Sequence, residues 1–475
     1  MQLSDADCLD LIANGLPPVA GARQRVVVVG AGMAGLVAAE ALARAGHDPI
    51  VIEAQHRVGG RVCTLREPFA PGLYAEAGAM RIPKAHALTL AYVEKFGLSV
   101  FPFTMGNPQA YCHLFGRKAR HAEIDATPDM LGLELAERER GSTCGKRWDA
   151  ALQPFAERLR ADGDGAWAAI VTRYDGHSVR EFLEELGWSE NAIEVFGLLM
   201  NQESVMNTSF LELLREELGR CYVDMVQIAG GMDLLPRAFM PSLAGRIRFG
   251  ARMTALDQTD SGVRVHVETA AGRRAFDGDR AIVTVPFPVL RHVEMMKPLS
   301  HGKRRAIRQL HYDASAKIFM QCRRRFWEED DGIVGGGTVT DLPIRNVYYP
   351  EHGRETGRGV LLASYTWAED AQRWGSLSPT ERIEQALEDL AVIHPQIVDE
   401  YEVGASKMWH DDPFAGGAFA LFEPSQQSLL YPHIIAAEGR LHFAGEHASL
   451  HHAWIQGAIE SGLRAACEVN AAAGC

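Results

Sequence analysis

The sequence of 475 residues lacks most features that mark secreted, membrane-bound or nucleic-acid-binding proteins. Its eight cysteines include no CxxC pair and no tight spacing, which argues against a disulfide framework. The chain has 48 basic and 61 acidic residues, and the net charge of -13 argues against nucleic acid as a partner and against a polybasic patch that binds membranes. The longest uncharged apolar stretch, Val26 to Ala39, contains three glycines and is too short to span a membrane.

A secretory signal is also absent from the first fifteen residues, MQLSDADCLDLIANG, which carry acids where a signal needs a basic and then an apolar segment. We therefore expect a cytoplasmic protein with reduced thiols and no membrane partner. Aromatic residues make up only 8%, but a hydrophobic content of 47% is enough for sizeable cores in two or three domains.

The most informative stretch is RVVVVGAGMAGLVAAEALARAGHDPIVIEA, from Arg25 to Ala54. Its first five residues predict a strand that is buried on both faces. An Ala- and Leu-rich helix should follow as far as Ala45, and a second strand should span Pro49 to Ile52. The first strand and the helix are joined by a G-x-G-x-x-G turn, which predicts a dinucleotide-binding βαβ unit.

Each glycine of this turn has a distinct structural role. Gly30 makes the tight turn, Gly32 lets the backbone approach a pyrophosphate, and Gly35 lets the helix pack closely on the strand. The N-terminus of the helix offers free N–H groups to the phosphates. Glu53, at the end of the second strand, can accept hydrogen bonds from an unphosphorylated ribose, which leaves NAD and FAD as candidates.

The residues that follow favour FAD over NAD. Arg57 to Arg61, RVGGR, adds a glycine pair and two arginines that could lie along the same pyrophosphate, although a solvated surface turn is the alternative. The only later glycine run, Gly335 to Gly337, is not followed by a helix pattern. A second nucleotide site of the kind found in pyridine-nucleotide reductases is therefore not expected.

These segments resemble the flavin amine oxidase superfamily, which includes monoamine oxidases and L-amino acid oxidases. The glycine-rich stretch through RVGGR resembles its FAD-binding start, and LHFAGEHASLHHAWIQGAIESGLRAACEVN resembles its second flavin segment. GGMDLLPRAF (Gly230 to Phe239) and SAKIFMQC (Ser315 to Cys322) resemble internal landmarks. The EAGAMRIP motif, which contains Arg81, is most similar to L-amino acid oxidases.

The resemblance implies a set of FAD contacts, with Glu53 at the ribose, Arg61 at the pyrophosphate and Glu446 near the ribityl chain. Ala418 stands where covalently flavinylated relatives have a cysteine, so the resemblance implies noncovalent FAD. The implied cofactor-binding residues are Gly30, Gly32, Met33, Gly35, Glu53, Ala54, Gly60, Arg61, Gly78, Ala79, Met80, Arg81, Met253, Gly445, Glu446, Trp454 and Ile455.

The resemblance also implies a substrate site around Arg81, whose guanidinium would bind the substrate carboxylate in a bidentate pair. The alternative for this arginine is an ion pair with a neighbouring acid such as Glu76. The other implied substrate-binding residues are Tyr365, Phe419 and Trp454, of which the last two could equally be ordinary core aromatics.

Lys317 lies in a strand-like context, between apolar residues. By resemblance it is the catalytic lysine that holds a water against flavin N5. An inward lysine on such a strand would need a partner, and the alternative is a lysine at a strand edge in solvent.

The middle of the chain, Ala126 to Cys221, has helical patterns. Ser178 and Glu181 form a capping box that opens SVREFLEELGW, in which Phe182, Leu183 and Leu186 should share a buried face. By resemblance, such an inserted helical region forms part of the route to the active site.

The predicted fold class is mixed α/β, with a Rossmann-type FAD-binding domain interleaved with a mixed-sheet substrate domain and an inserted helical domain. No internal repeat or low-complexity run separates them. The expected segments are 22–66, 222–298 and 431–475 for the FAD-binding domain, 67–125 and 299–430 for the substrate domain, and 126–221 for the helical domain.

The resulting hypothesis is an FAD-dependent oxidase that converts L-amino acids, with apolar or aromatic side chains or a broad range, to 2-oxo acids, ammonia and hydrogen peroxide. Hydride would pass to flavin N5, and O₂ would be the second substrate. The alternatives are an amino acid 2-monooxygenase, an amine oxidase, and a flavin-holding module without turnover. We expect no metal at His447, His451 and His452, because HExxH and cysteine ligands are absent, and we expect a homodimer or higher oligomer.

Overall fold

The computed structural model describes residues 3–163 and 165–473. The strands are β1 (Arg25–Val29), β2 (Asp48–Ile52), β3 (Thr64–Leu65), β4 (Ala75–Glu76), β5 (Ile82–Pro83), β6 (Val100–Phe103), β7 (Tyr111–Leu114), β8 (Arg117–Arg120), β9 (Met225–Ile228), β10 (Ile247–Arg248), β11 (Arg252–Gln258), β12 (Val263–Thr269), β13 (Gly272–Gly278), β14 (Arg280–Val283), β15 (Glu294–Met295), β16 (His311–Asp313), β17 (Ser315–Cys322), β18 (Gly337–Thr340), β19 (Asn346–Tyr348), β20 (Gly359–Trp367), β21 (Tyr401–Met408), β22 (Phe419–Leu421) and β23 (Leu441–Phe443).

The helices are α1 (Asp5–Asn14), α2 (Met33–Arg44), α3 (Ala87–Lys95), α4 (His121–Ala126), α5 (Cys144–Asp162), α6 (Gly165–Tyr174), α7 (Val179–Glu185), α8 (Glu190–Leu199), α9 (Phe210–Leu218), α10 (Leu234–Ala238), α11 (Phe287–Leu290), α12 (His301–Gln309), α13 (Phe326–Glu329), α14 (Ala368–Gly375), α15 (Pro379–Ile393), α16 (Ile397–Glu400), α17 (Gln426–Ile435) and α18 (Ile455–Ala472).

A five-stranded parallel sheet, in the order β10-β2-β1-β14-β23, collects strands from three separate stretches of the chain. Side chains on one face of β1, Val26 and Val28, belong to an apolar core with α2 and α18. Val27 and Val29 on the other face belong to a second core with β12 and α12. The run of valines is therefore explained by burial on both faces.

The predicted βαβ unit is confirmed with small shifts at its ends. β1 has the predicted bounds, α2 ends at Arg44 rather than Ala45, and β2 begins one residue earlier, at Asp48. Such differences of one residue are normal where helices fray and strands end.

A seven-stranded sheet, in the order β21-β17-β20-β19-β18-β7-β8, forms the second large layer. β17 lies between β20 and β21 and is buried at every position. Lys317 is therefore on an interior strand and 1% exposed, and the alternative of a solvated edge lysine is wrong.

The helical patterns of the middle of the chain are confirmed by α5 to α9. Ser178 and Glu181 form the predicted capping box of α7. Phe182 and Leu183 are buried as predicted, but Leu186 is 47% exposed and that part of the prediction is wrong. Leu186 is the C-cap residue of α7, and it keeps helical dihedrals with its N–H donating to the carbonyl oxygen of Phe182. Its exposure therefore reflects how little packs against the end of the helix, not a departure from the helical repeat.

The architecture is the predicted mixed α/β class, with a Rossmann-type sheet interleaved with a mixed sheet and a helical insertion. The segment boundaries between these parts stay a prediction. No helix of the described ranges, 3–163 and 165–473, is long and apolar enough to cross a membrane.

Candidate active site

A cavity of about 1150 Å³ begins at the carboxyl ends of the parallel strands. Its wall includes residues that directly follow β1, β2, β14 and β23, which is where ligands bind in open α/β sheets. The cavity then continues between the seven-stranded sheet and helix α9. Every site residue that the sequence predicts lies in its wall except Gly35.

The three glycines of the turn have distinct environments. A Cβ on Gly35 would lie 2.0 Å from the carbonyl oxygen of Gly30, so this glycine allows the helix to pack on the strand. Gly30 has a φ of +109°, which favours glycine. A Cβ on Gly32 would meet nothing within 4 Å, so the backbone there faces open cavity at the N-terminus of α2. This open space beside free helix N–H groups fits a pyrophosphate.

Glu53 lies at the end of β2, in the wall of the same part of the cavity. Its carboxylate accepts hydrogen bonds from the backbone N–H groups of Ala31 and Gln55, each at 2.8 Å. Burial raises the pKa of Glu53, and these N–H groups oppose the shift. The acid is thus held in place beside the cavity, where a ribose could use its remaining lone pairs. Ala54 and Met253 line the wall nearby.

Arg61 and Glu446 form a buried ion pair that joins the two predicted flavin segments. Arg61 Nη1 donates to Glu446 Oε1 at 2.7 Å and to the carbonyl oxygen of Ala418 at 3.1 Å. Glu446 also accepts from the N–H groups of Ala420 and Ala453 at 3.1 and 3.0 Å. Burial alone would raise the pKa of Glu446, but the Arg61 guanidinium keeps it below its usual value.

Lys317 reaches across to the predicted isoalloxazine loop, Gly78 to Arg81. Its Nζ donates to the carbonyl oxygens of Glu76 at 3.0 Å and Gly78 at 2.7 Å, and lies 4.4 Å from the centre of the Tyr365 ring. Burial, with a further contribution from the positive charge of Arg81, lowers the pKa of Lys317 to about 7. The partners that an inward lysine requires are therefore these two backbone carbonyl oxygens.

Arg81 faces the cavity with part of its guanidinium unused. Its Nη1 is buried and has no hydrogen-bond partner within the described part of the chain. Its Cζ lies 5.6 Å from the centre of the Phe103 ring and 5.8 Å from that of Tyr348. The alternative of an ion pair with Glu76 is wrong, because Glu76 accepts instead from Met232 N and Thr64 Oγ1, each at 2.8 Å. A buried guanidinium N–H without a partner in a cavity wall is a donor that an anion could use.

The aromatic residues that were predicted to enclose the substrate line the same cavity. Trp454 packs edge-on against His86 at 4.9 Å between ring centres, and its Nε1 donates to Glu216 Oε1 at 2.7 Å. Phe419 opens strand β22 and, with Tyr365, lines the same cavity. Trp454 and Phe419 are each only partly buried, and both face the cavity.

The three histidines near the second flavin segment do not converge. His451 contacts Glu460 at 3.0 Å, His452 contacts Glu212 at 2.9 Å, and the buried ring nitrogens of His447 have no described partner. Within residues 3–163 and 165–473, no group of three or more His, Cys, Asp or Glu side chains could hold a metal ion.

The polar residues of the cavity that were not predicted from the sequence include Glu216, Glu217, Asn346 and Tyr348. Acids on an amphipathic helix normally face solvent, and nothing in the spacing of α9 distinguishes these two. Asn346 and Tyr348 lie on the short strand β19, whose inward face depends on its pairing with β18 and β20. No local sequence signal could have identified them.

The chain was compared with known proteins. A family model described as flavin containing amine oxidoreductase matches residues 33–470. The protein "Putative L-amino-acid oxidase YobN" of Bacillus subtilis (strain 168) is 42% identical over 98% of this chain and 99% of its own length. An L-amino-acid oxidase of Siganus canaliculatus is 36% identical over 97% of this chain and 88% of its own length.

Solved structures agree on the fold. A putrescine oxidase variant superposes with a TM-score of 0.76 at 22% identity, over 95% of this chain and 99% of its own. At this identity the similarity establishes the fold and not the substrate.

Proposed function

The chain belongs to the flavin containing amine oxidoreductase family, and on this basis we propose that it is an FAD-dependent oxidase of L-amino acids. The observation that carries the proposal is the buried, unpaired Nη1 of Arg81 in the wall of the cavity. An amine substrate without a carboxylate would leave this donor unsatisfied, whereas the carboxylate of an amino acid would pair with it.

FAD is an expected resident of the cavity, and the residues around it fit that cofactor. The open face of Gly32, the free N-terminus of α2 and the acid Glu53 suit an unphosphorylated dinucleotide. Residues 3–163 and 165–473 contribute no cysteine to the cavity wall, and Ala418 offers no thiol, so the cofactor is held noncovalently. When bound, FAD accepts the two electrons and the hydrogen removed from the amine carbon, and O₂ regenerates it with release of hydrogen peroxide.

The protein contributes position and electrostatics. Arg81 binds the carboxylate, and Tyr365, Phe419 and Trp454 enclose the rest of the substrate and exclude water. With the carboxylate fixed at Arg81 and the side chain against the aromatic walls, only one enantiomer can present the hydrogen of its α-carbon to the flavin. We assign this as the L-enantiomer from the similarity to L-amino-acid oxidases. No side-chain base is required once the amine is neutral.

Lys317 is proposed to hold a water. Two of its N–H donors are used by backbone carbonyls, and the third has only the weak acceptor Met80 Sδ at 3.5 Å. A water accepting from this third donor would lie beside the Gly78 loop, where it could assist imine hydrolysis or flavin reoxidation.

The test is anaerobic reduction of the flavin, followed by its visible absorbance. A panel of L-amino acids, their D-isomers and the corresponding decarboxylated amines is added to the purified flavoprotein. We expect bleaching by L-amino acids only. Bleaching by the amines with equal efficiency would favour an amine oxidase and would contradict the role of Arg81, and a flavin that no member reduces would contradict the proposal.

Product analysis separates the oxidase from the amino acid 2-monooxygenase. The oxidase yields a 2-oxo acid, ammonia and hydrogen peroxide in equal amounts, whereas the monooxygenase yields an amide with one carbon fewer. We expect the 2-oxo acid. A homodimer or higher oligomer stays a prediction, which light scattering would test.

A further inference from the structure

Helix α9 carries acids into the proposed substrate cavity. Glu212, Glu216 and Glu217 all line it; Glu212 is buried, and the other two are partly buried. Glu212 is paired with His452 at 2.9 Å, whereas neither Glu216 nor Glu217 has an ion-pair partner within the described residues. The positive charge of Arg81, in the same cavity, acts on Glu216 from beyond ion-pair distance, and the proposed function assigns Arg81 to the substrate carboxylate. With that carboxylate bound, the two carboxyl groups exceed the positive charge available in the described part of the cavity wall.

Glu216 is held in a defined position next to the predicted substrate site. Its Oε1 accepts from Trp454 Nε1 at 2.7 Å, and its Oε2 accepts from the hydroxyl of Tyr222 at 2.5 Å. The rings of Trp454 and Tyr222 are 6.1 Å apart. Two donors leave further lone pairs on the carboxyl group, and burial raises the pKa of Glu216. A cation placed beside it would be strongly favoured, because it would offset the cost of that burial.

An independent observation comes from strand β19, in the wall of the same cavity. Asn346 is 3% exposed, its Nδ2 donates to the carbonyl oxygen of Tyr365 at 3.1 Å, and its Oδ1 is buried with no donor within the described chain. Asn346 and Tyr348 are two residues apart on β19 and so point to the same face, and Tyr348 lies beside Arg81. The unused acceptor of Asn346 thus indicates a ligand that carries hydrogen-bond donors besides its carboxylate.

We propose that Glu216, with Glu217 and Asn346, forms a subsite for a cationic substrate side chain, and that this enzyme prefers L-amino acids ending in an ammonium or guanidinium group. The inference rests on the proposed oxidation of L-amino acids and replaces the expectation of apolar or aromatic side chains. The carboxylate binds Arg81, the chain passes between the aromatic walls, and the terminal cation meets the carboxyl groups of α9.

The experiment compares pairs of substrates that differ in charge but hardly in shape. L-arginine is compared with L-citrulline, and L-lysine with L-norleucine, by kcat/KM in a peroxide assay on the holoenzyme. We expect the cationic member to be favoured by about 30-fold or more, because a buried charge partner typically contributes at least about 2 kcal/mol.

The variants are Glu216→Gln, Glu217→Gln and the double variant, with Glu194→Gln as a matched control. Glu194 is an exposed acid of the same helical region and does not line the cavity. We expect Glu216→Gln to reduce kcat/KM for L-arginine by about 30-fold while that for L-citrulline changes less than threefold. The control should change neither.

The outcomes separate this inference from the proposed function. Oxidation of L-citrulline, L-norleucine and L-phenylalanine as efficient as that of the cationic amino acids would overturn the subsite and leave the L-amino acid oxidase intact. An equal loss for both members of a pair in Glu216→Gln and in the double variant would also overturn it. If no L-amino acid is oxidised, both the proposed function and the subsite are wrong.

Discussion

Replacing Arg81 tests the proposed carboxylate site most directly. We consider Arg81→Met, which keeps much of the side-chain volume, and Arg81→Lys, which keeps the charge but loses the planar fork. In the structure the guanidinium lies beside the rings of Phe103 and Tyr348 and has a buried N–H without a partner among the described residues. The bound carboxylate would therefore lose its charge partner in a site with little water.

The expected magnitude follows from this burial. Loss of one partner of a desolvated charge pair costs about 2–5 kcal/mol, which corresponds to a decrease of about 30- to 5,000-fold in kcat/KM for Arg81→Met. Most of it should appear in KM, because the carboxylate is bound similarly in the ground state and the transition state. Arg81→Lys should retain part of the activity and lose about tenfold or more, since an ammonium cannot pair in a bidentate way.

The assay is peroxide formation at several concentrations of the best L-amino acid, with flavin absorbance measured for each variant. Flavin content serves as the control, because Arg81 lies next to the loop predicted to contact the cofactor. Decarboxylated amines provide a second control, since they should react no worse with Arg81→Met than with the unaltered enzyme. Amino acid kinetics unchanged in a flavin-loaded Arg81→Met would refute the assignment.

Three further predictions concern the cofactor site and the core. Gly32→Ala should fold normally but retain little FAD, because its Cβ would enter the open cavity, whereas Gly35→Ala should lower the melting temperature, because its Cβ would lie 2.0 Å from a carbonyl oxygen. Flavin absorbance measures the bound FAD and calorimetry measures the melting temperature. Equal effects of the two variants on both quantities would refute the distinction. Glu446→Gln should cost about 1.5–3 kcal/mol in urea unfolding, because the partly buried Arg61 guanidinium loses its charged partner and keeps only the carbonyl oxygen of Ala418. Glu268→Gln, in an exposed pair with Arg252, is its control and should cost under about 1 kcal/mol. Burial lowers the pKa of Lys303 from 10.5 to about 7, so the folded state binds fewer protons than the unfolded state between these values. The free energy of unfolding of the unaltered protein, minus that of Lys303→Met, should therefore rise with pH across that window, by up to about 1.4 kcal/mol per pH unit. If this difference in free energy does not change between pH 7 and 9, the prediction is wrong.

Much of the fold could be predicted from the sequence because its signals are local. The buried valines of β1, the glycine turn and the apolar repeat of α2 specify their elements within thirty residues, and their bounds were predicted to within one residue. Leu186 was placed wrongly because burial at the end of α7 depends on what packs there, which the apolar repeat does not reveal.

Some residues of the candidate site could also be predicted from local sequence signals, and others could not. Arg81, Lys317 and Trp454 could be identified because they stand in motifs that resemble those of a known family, and the structure brings all three to one cavity. Whether Lys317 had a partner could not be predicted, since the carbonyls of Glu76 and Gly78 are more than 230 residues away in the chain.

The sequence by itself determined the dinucleotide-binding unit, the family and the residues carried by its motifs. Only the tertiary structure decided which groups line the cavity. Glu216 on a polar helix surface and Asn346 on a three-residue strand have nothing local to mark them. They meet because α9 and β19 line the same cavity from distant parts of the chain. This enclosure is what makes the spare lone pairs of the Glu216 carboxyl and the unpaired amide oxygen of Asn346 a proposed site for a cation.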